Sequence, residues 1–200
     1  MIILAIVSLV LGVAGGQWLF SGETVELFGD ISEYTLSLLM FSVGISVGAN
    51  KLIFRKLREN NMKLLFVPLG VIAGSLLGGY ITGLLCGMPG NISMAIASGL
   101  GWYSLSGVML TDLAGAEVGT VTFLANVFRE IFSFLIIPWI AVHLNHYTAI
   151  APAGATSEDT TLPLIMKCTS EEVTVVSVLN GVICSIAVPF LIEITFKLPF

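Results

Sequence analysis

Long apolar runs, separated by short polar interruptions, make up most of the chain. The runs are Ile2–Phe20, Tyr34–Ala49, Leu64–Cys86, Val118–His143 and Val173–Phe196. A helix needs about 20 predominantly apolar residues to cross the hydrocarbon core of a bilayer, so each run reads as a membrane span. Two stretches break the pattern. Ile92–Leu113 is apolar at both ends but carries "GLGWYSLSG" over Gly99–Gly107, and Thr148–Met166 contains "APAGATSEDTTLPL" over Ala151–Leu164. The pattern predicts an all-α polytopic membrane protein with about seven transmembrane elements, five of them regular and two broken or re-entrant. It predicts a single transmembrane domain over residues 1–200, with the irregular elements at about 92–113 and 148–166 as its core.

Composition removes the soluble alternative. The chain is 56% hydrophobic and only 10% charged, with a mean hydropathy of +1.00, whereas a soluble domain carries about 25% charged residues. So few charges cannot cover the surface of a soluble domain of this size. The net charge is -5, and no basic stripe of the kind that binds phosphates is present, which argues against nucleic acid as a partner. Cys86, Cys168 and Cys184 sit in or beside apolar runs, and their odd number without a framework spacing points to free thiols. The N-terminal run has neither a basic leader nor a cleavage site and reads as a retained span.

Charge distribution orients the spans. Five of the eight basic residues (Lys51, Arg55, Lys56, Arg58 and Lys63) lie between the second and third runs, which makes that loop cytoplasmic by the positive-inside rule. The N-terminus is then cytoplasmic as well. The C-terminus is outside if both irregular elements cross; Lys197 argues weakly the other way.

Polar groups inside the apolar runs mark candidate chemistry. Arg129 and Glu130 fall near the middle of Val118–His143. A charge at the bilayer centre costs about 2.5–3.5 kcal/mol on the insertion scale and persists where it faces a bundle interior or a cavity. Asn126 and Ser133 lie one turn to either side, on the Glu130 face. Two readings stay open for this network: a buried Arg–carboxylate pair that fixes packing, or a direct substrate or ion role. In "GLGWYSLSG" the glycines, Gly101 and Gly107 among them, loosen the backbone, and Tyr103, Ser104 and Ser106 supply hydroxyls. In the second irregular stretch Gly154 and Pro163 bracket Thr156, Ser157, Glu158 and Asp159. Thr156 and Ser157 are candidate helix caps, and adjacent acids point about 100° apart on a helix, so at most one faces a shared site. Irregular backbone at membrane depth survives only where protein buries it or it lines a water-filled cavity, and paired interrupted segments are the best sequence pointer to a transporter's binding site.

A shift of 51 residues lays "IFSFLIIPWI" on "VICSIAVPFL", Pro138 over Pro189, and "GWYSLSG" over "PAGATSE". Identities are few, and chance is the more economical account of the sequence taken alone. Weaker signals carry no argument. "GISVG" (44–48) formally matches a hydrolase elbow but lies inside a span, and His143 and His146 lack a third metal ligand nearby.

At these residues the chain resembles the lysine exporter (LysO-type) family of bacterial inner-membrane proteins. The likeness runs through "SEYTLSLLMFSVGISVG" (32–48), "ASGLGWYSLSGVMLT" (97–111), "LANVFREI" (124–131) and "GATSEDTTLP" (154–163), and covers nearly the whole chain. The resemblance implies a transporter rather than an enzyme, with no cofactor or metal, that exports L-lysine and toxic lysine analogues in exchange for protons. It implies a fold similar to cation/proton antiporters and bile-acid symporters. The family's acidic position falls on Asp159, its Arg–Glu pair on Arg129 and Glu130, and its glycine–aromatic–serine break on Gly101 to Gly107. Asp159 is expected to bind the substrate ammonium or the coupling proton, flanked by Glu158, Thr156, Ser157, Tyr103, Ser104 and Ser106. Half-helix N-termini at the breaks are expected to hold the α-carboxylate. Because the chain corresponds to the C-terminal two-thirds of a full-length member, a small companion membrane protein or homodimerisation is expected to supply the remaining spans. A non-transporting scaffold is the main alternative; a channel and a serine hydrolase rank below it.

Overall fold

The computed structural model describes residues 2–22, scattered positions between 24 and 45, and residues 65–199. The expected span over 34–49 and the basic segment 51–63 lie outside the described residues. The chain divides into two compact units, Met1–Asn50 and Lys51–Phe200.

In the first unit, helix α1 (Ile2–Trp18) has 17 residues and no charged side chain in its first or last turn. At about 25 Å it lies at the short end of the spanning range. Its C-terminal turn closes with the Leu19 and Phe20 N–H groups both donating to Gly15 O at 2.9 Å, and the Phe20 ring folds back onto Gly15.

The second unit opens with α2 (Phe66–Cys86). Pro68 is tolerated in its first turn because the N–H it lacks would have had no helical partner there. The helix stops at Gly87, which adopts the left-handed conformation (φ 69°) and donates to Gly83 O. Pro89 then redirects the chain into the short α3 (Gly90–Ala97). The helical path is interrupted over 98–102 and resumes as α4 (Tyr103–Ala114), which turns at Gly115 into α5 (Ala116–His143).

A second irregular stretch follows. It consists of two single-turn 3₁₀ helices, Thr148–Ile150 and Gly154–Glu158, and then α6 (Leu162–Cys168). The chain closes with α7 (Glu171–Phe196), whose N-cap Ser170 accepts from Val173 N and whose first turn holds Glu171 and Glu172, both favourable at the positive end of a helix. Among the described residues every regular element is helical, and three helices are long and apolar enough to cross a membrane: α2, α5 and α7. Pro138 and Pro189 lie within α5 and α7.

The interior of this unit is assembled around the second irregular stretch. Ile137, Ile140 and Ala141 of α5 pack on Ala149, Ala153 and Ile165, while Ile150 packs with Val173 and Val176 of α7. Leu100, Leu105 and Leu110 are fully buried at and beyond the first interruption. The outward faces of α2 and α5 present Phe66, Leu85, Phe128, Phe132 and Leu135, as expected of surfaces meeting lipid rather than water.

Two glycines sit differently from expectation. The first interruption is shorter than Gly99–Gly107. Gly107 is a buried residue inside α4, where a side chain would press on Phe123, so it serves close packing against α5 and not a break. Pro163 stands in the first turn of α6, opening a helix rather than dividing one.

Candidate functional site

The two interruptions cross at the level of the backbone. In the first, Leu100 (φ 49°) and Gly101 (φ 96°) both take left-handed conformations, and in the second Gly154 does (φ 60°). Ala155 N donates to Leu100 O at 2.9 Å. The absence of a side chain at Gly154 is what allows this, because a Cβ there would collide with the Leu100 carbonyl. Leu100 pays steric strain at a position where a non-glycine residue rarely has positive φ. It is fully buried, so the surrounding packing holds it there.

Each interruption is completed by an asparagine from a long helix. Asn126 on α5 accepts from Gly101 N at 2.8 Å and donates to Ile96 O at 3.1 Å and Thr122 O at 2.9 Å. Asn180 on α7 donates to Gly154 O at 3.0 Å and to Ser157 Oγ at 2.9 Å. Both side chains are buried. They replace helical hydrogen bonds that the interruptions forfeit, at a depth where water cannot. Asn126 was visible in the sequence as a polar residue in a span, whereas Asn180 was missed. It follows Gly154 by nearly the same interval as Asn126 follows Gly101, and that spacing was the available signal.

Thr156 and Ser157 are buried, and neither caps a helix. The Thr156 hydroxyl donates to Ala153 O at 2.9 Å. Ser157 Oγ lies within bonding distance of Gly154 O and Ser177 O, while Ser177 Oγ donates back to Ser157 O at 2.7 Å. Ser106 is likewise buried and donates to Trp102 O. These hydroxyls hold the irregular backbone together. Ser104 is exposed, and Tyr103 stands edge-on to Phe123 with ring centroids 5.3 Å apart.

The adjacent acids part company. Glu158 is half-buried against α7 and accepts from Ser185 Oγ at 2.7 Å. Asp159 is exposed, and its Oδ1 accepts from Thr160 N. Asp159 and Thr160 lie on the side of Glu130, and Tyr103 is near both Glu130 and Asp159. Glu130 is 1% exposed, and its carboxylate faces the buried Thr160 hydroxyl, but no hydrogen bond of good geometry reaches either oxygen among the described residues. Burying a carboxylate that only a neutral hydroxyl faces is costly. A group retained on those terms is suited to taking up a proton or a cation.

Arg129 faces elsewhere. Nη1 donates to Ser75 Oγ on α2 at 2.8 Å, Nε to Pro152 O at 3.1 Å and Nη2 to Ala151 O at 3.4 Å. The sequence left open a buried Arg–carboxylate pair; among the described residues the ion pair formed is the exposed Lys197–Glu193, and Arg129 meets neutral oxygens. Ser133, one turn on, donates to Arg129 O within the helix. Among the described residues no three His, Cys, Asp or Glu side chains come together as a metal site.

Outside the core, the Tyr147 hydroxyl beyond the end of α5 donates to Glu172 Oε1 at 2.8 Å. That hydrogen bond, with the negative charge of Glu172, raises the Tyr147 phenol above its ordinary value.

Comparison with known proteins identifies the family. The family model described as Lysine exporter LysO matches residues 6–196. The chain is 36% identical over 163 residues to Lysine exporter LysO of Escherichia coli (strain K12), a match covering 82% of this chain and 54% of that protein. It is 34% identical over 196 residues to a Haemophilus influenzae protein named "Putative lysine exporter", covering 97% of this chain and 95% of that protein. The chain thus spans about half the length of the first relative and nearly all of the second. No solved structure matches. With the family model matching nearly end to end and three helices long and apolar enough to cross a membrane among the described residues, this is a helical, multi-pass membrane protein of the lysine exporter LysO family.

Proposed function

We propose that the chain is the transport domain of a secondary transporter that exports L-lysine, and toxic lysine analogues, across the bacterial inner membrane in exchange for protons. The observation that carries this reading is the buried carboxylate of Glu130, which has no ion-pair partner among the described residues, beside the crossing of the two interruptions. Asp159 is the exposed partner of that site. It meets the ammonium of the solute, and Glu130 takes the proton when the solute leaves. The two acids are never required to be charged together without a cation, which is what exchange of a cationic solute for a proton demands. Thr156, Ser157 and Ser106 shape the crossing, and Tyr103 and Ser104 line its approach.

In this reading residues 1–200 act as one domain of about seven transmembrane elements, built like the crossed-helix antiporters and bile-acid symporters. The N-terminus is cytoplasmic. In a second reading the chain is one subunit that transports only beside a small companion membrane protein or a second copy of itself.

Flux in proteoliposomes containing this chain alone tests both. Lysine movement driven by an imposed pH gradient, and abolished in Asp159→Asn with insertion unchanged, is the expected result. Undiminished flux in Asp159→Asn overturns the site. Absence of flux by the isolated chain, restored by a copurifying partner, selects the subunit reading.

A further inference from the structure

Arg129 brings a full positive charge into the middle of α5, and its contacts to Ser75, Ala151 and Pro152 are all to neutral oxygens. A guanidinium has five N–H donors in a planar fork. Three are used here, which leaves one on each terminal nitrogen. Two cavities, of about 410 Å³ and about 400 Å³, lie along the seam between α2 and α5, and Arg129 is in the wall of both. The first is lined on α2 by residues up to Ser75, and the second by residues from Gly79 onward. The Arg129–Ser75 hydrogen bond therefore stands at their junction. Each cavity is of a size that holds a small solute, and among the described residues neither is lined by an acidic side chain. A charge in surroundings of low polarity without a counter-charge is stabilised most by an anion that can meet its fork, and a carboxylate does so bidentately.

We propose that this seam is a binding place for the carboxylate of an α-amino acid, with Arg129 as the recognising side chain and its bond to Ser75 as the contact a bound carboxylate replaces. Glu130, the next residue, projects about 100° around the helix. The carboxylate place and the acidic site therefore lie on different faces of α5, and neither cavity at Arg129 is lined by Glu130 or Asp159. The choice of an amino acid as solute rests on the export reading above, whereas carboxylate recognition is measured without transport.

The test is equilibrium binding to the purified full chain in detergent, by calorimetry, of L-lysine and of 1,5-diaminopentane, which has the same two amines' spacing class but no carboxylate. The wild type is expected to bind lysine more tightly than the diamine. Arg129→Gln should weaken lysine binding about tenfold or more, the usual consequence of losing a charge-assisted hydrogen bond, and leave the diamine unaffected. Ser75→Ala keeps the guanidinium in place and removes its competitor, so lysine should bind more tightly and the diamine as before. If Arg129→Gln does not fold, Ser75→Ala and Arg129→Lys carry the comparison, with Arg129→Lys intermediate because an ammonium lacks the fork. Equal losses for both ligands in the arginine variants, no change for lysine in Ser75→Ala, or no lysine binding by the wild type overturns the proposal. Lysine binding with this pattern but without flux, either alone or with a copurifying partner, would sustain carboxylate recognition while removing the export reading.

Discussion

The backbone N–H of Ala155 donates to the carbonyl of Leu100 at 2.9 Å, joining two interruptions that lie far apart in the chain. Both partners are buried. The bond exists because Gly154 and Gly101 flank it in left-handed conformations (φ 60° and 96°) and present no side chain to the crossing backbone. The polar framework around Glu130 and Arg129 is built on this contact.

Gly154→Ala should therefore be among the most damaging small substitutions in the chain. It adds a left-handed strain of about 1 kcal/mol to a collision with the Leu100 carbonyl that no flexible side chain can relieve. Gly101→Ala carries similar backbone strain, but its Cβ would meet Ala153 O at 3.3 Å, a contact that small shifts can absorb. Thermal unfolding in detergent should rank Gly154→Ala below Gly101→Ala, and the reverse order would contradict the crossing geometry.

The two asparagines should differ in weight. Replacing Asn126 by Leu leaves Gly101 N without its partner, whereas Ile96 O keeps Gly99 N and, after Asn180→Leu, Gly154 O keeps the Ser157 hydroxyl. Each stranded buried group costs about 1–3 kcal/mol. Asn126→Leu should thus lower stability more than Asn180→Leu, as read by the midpoint of thermal unfolding, because more backbone groups depend on it.

Glu130→Gln should keep the fold and lose exchange. The amide has nearly the same shape and removes a buried charge that no cation among the described residues pairs, so thermal stability should stay level or rise. Flux driven by a pH gradient should disappear. A Glu130→Gln protein that still couples lysine movement to protons would exclude this carboxylate as the proton carrier.

At the surface, the Tyr147 phenol is held above its ordinary value by its hydrogen bond to Glu172. A group whose folded pKa is raised contributes stability below the unfolded pKa and loses it as pH rises through the folded one. Tyr147 should therefore deprotonate at higher pH than an unperturbed tyrosine, and Glu172→Gln should bring it down. Ultraviolet titration of tyrosinate in the two proteins, against Tyr147→Phe as reference, checks the direction.

Much of this framework was legible in advance. The apolar runs at Leu64–Cys86, Val118–His143 and Val173–Phe196 became α2, α5 and α7 within a few residues at each end, because hydrophobic length and glycine or serine at the ends are local signals. The two irregular stretches were legible for the same reason: glycine and hydroxyl clusters within apolar sequence weaken a helix where they stand. The extent of each break was not. Gly107 looked like a hinge but is a packing residue, and whether a glycine breaks a helix or lets a neighbour approach depends on the neighbour, here Phe123.

By itself, then, the sequence determined the helical membrane class, the long helices, the presence of two interruptions and the polar residues that the membrane would not tolerate without a purpose. These follow from how apolar length and backbone preference act along the chain. Tertiary structure alone decided which of those residues meet. It set Leu100 against Ala155, brought in Asn180, Ser177 and Ser75, turned Glu158 toward α7 while leaving Asp159 on the side of Glu130, and gave Arg129 neutral oxygens instead of a carboxylate. Helical periodicity names the face a side chain occupies but not what packs against that face. That is settled by how the helices cross, which here depends on two glycines with no side chain to hold the backbones apart.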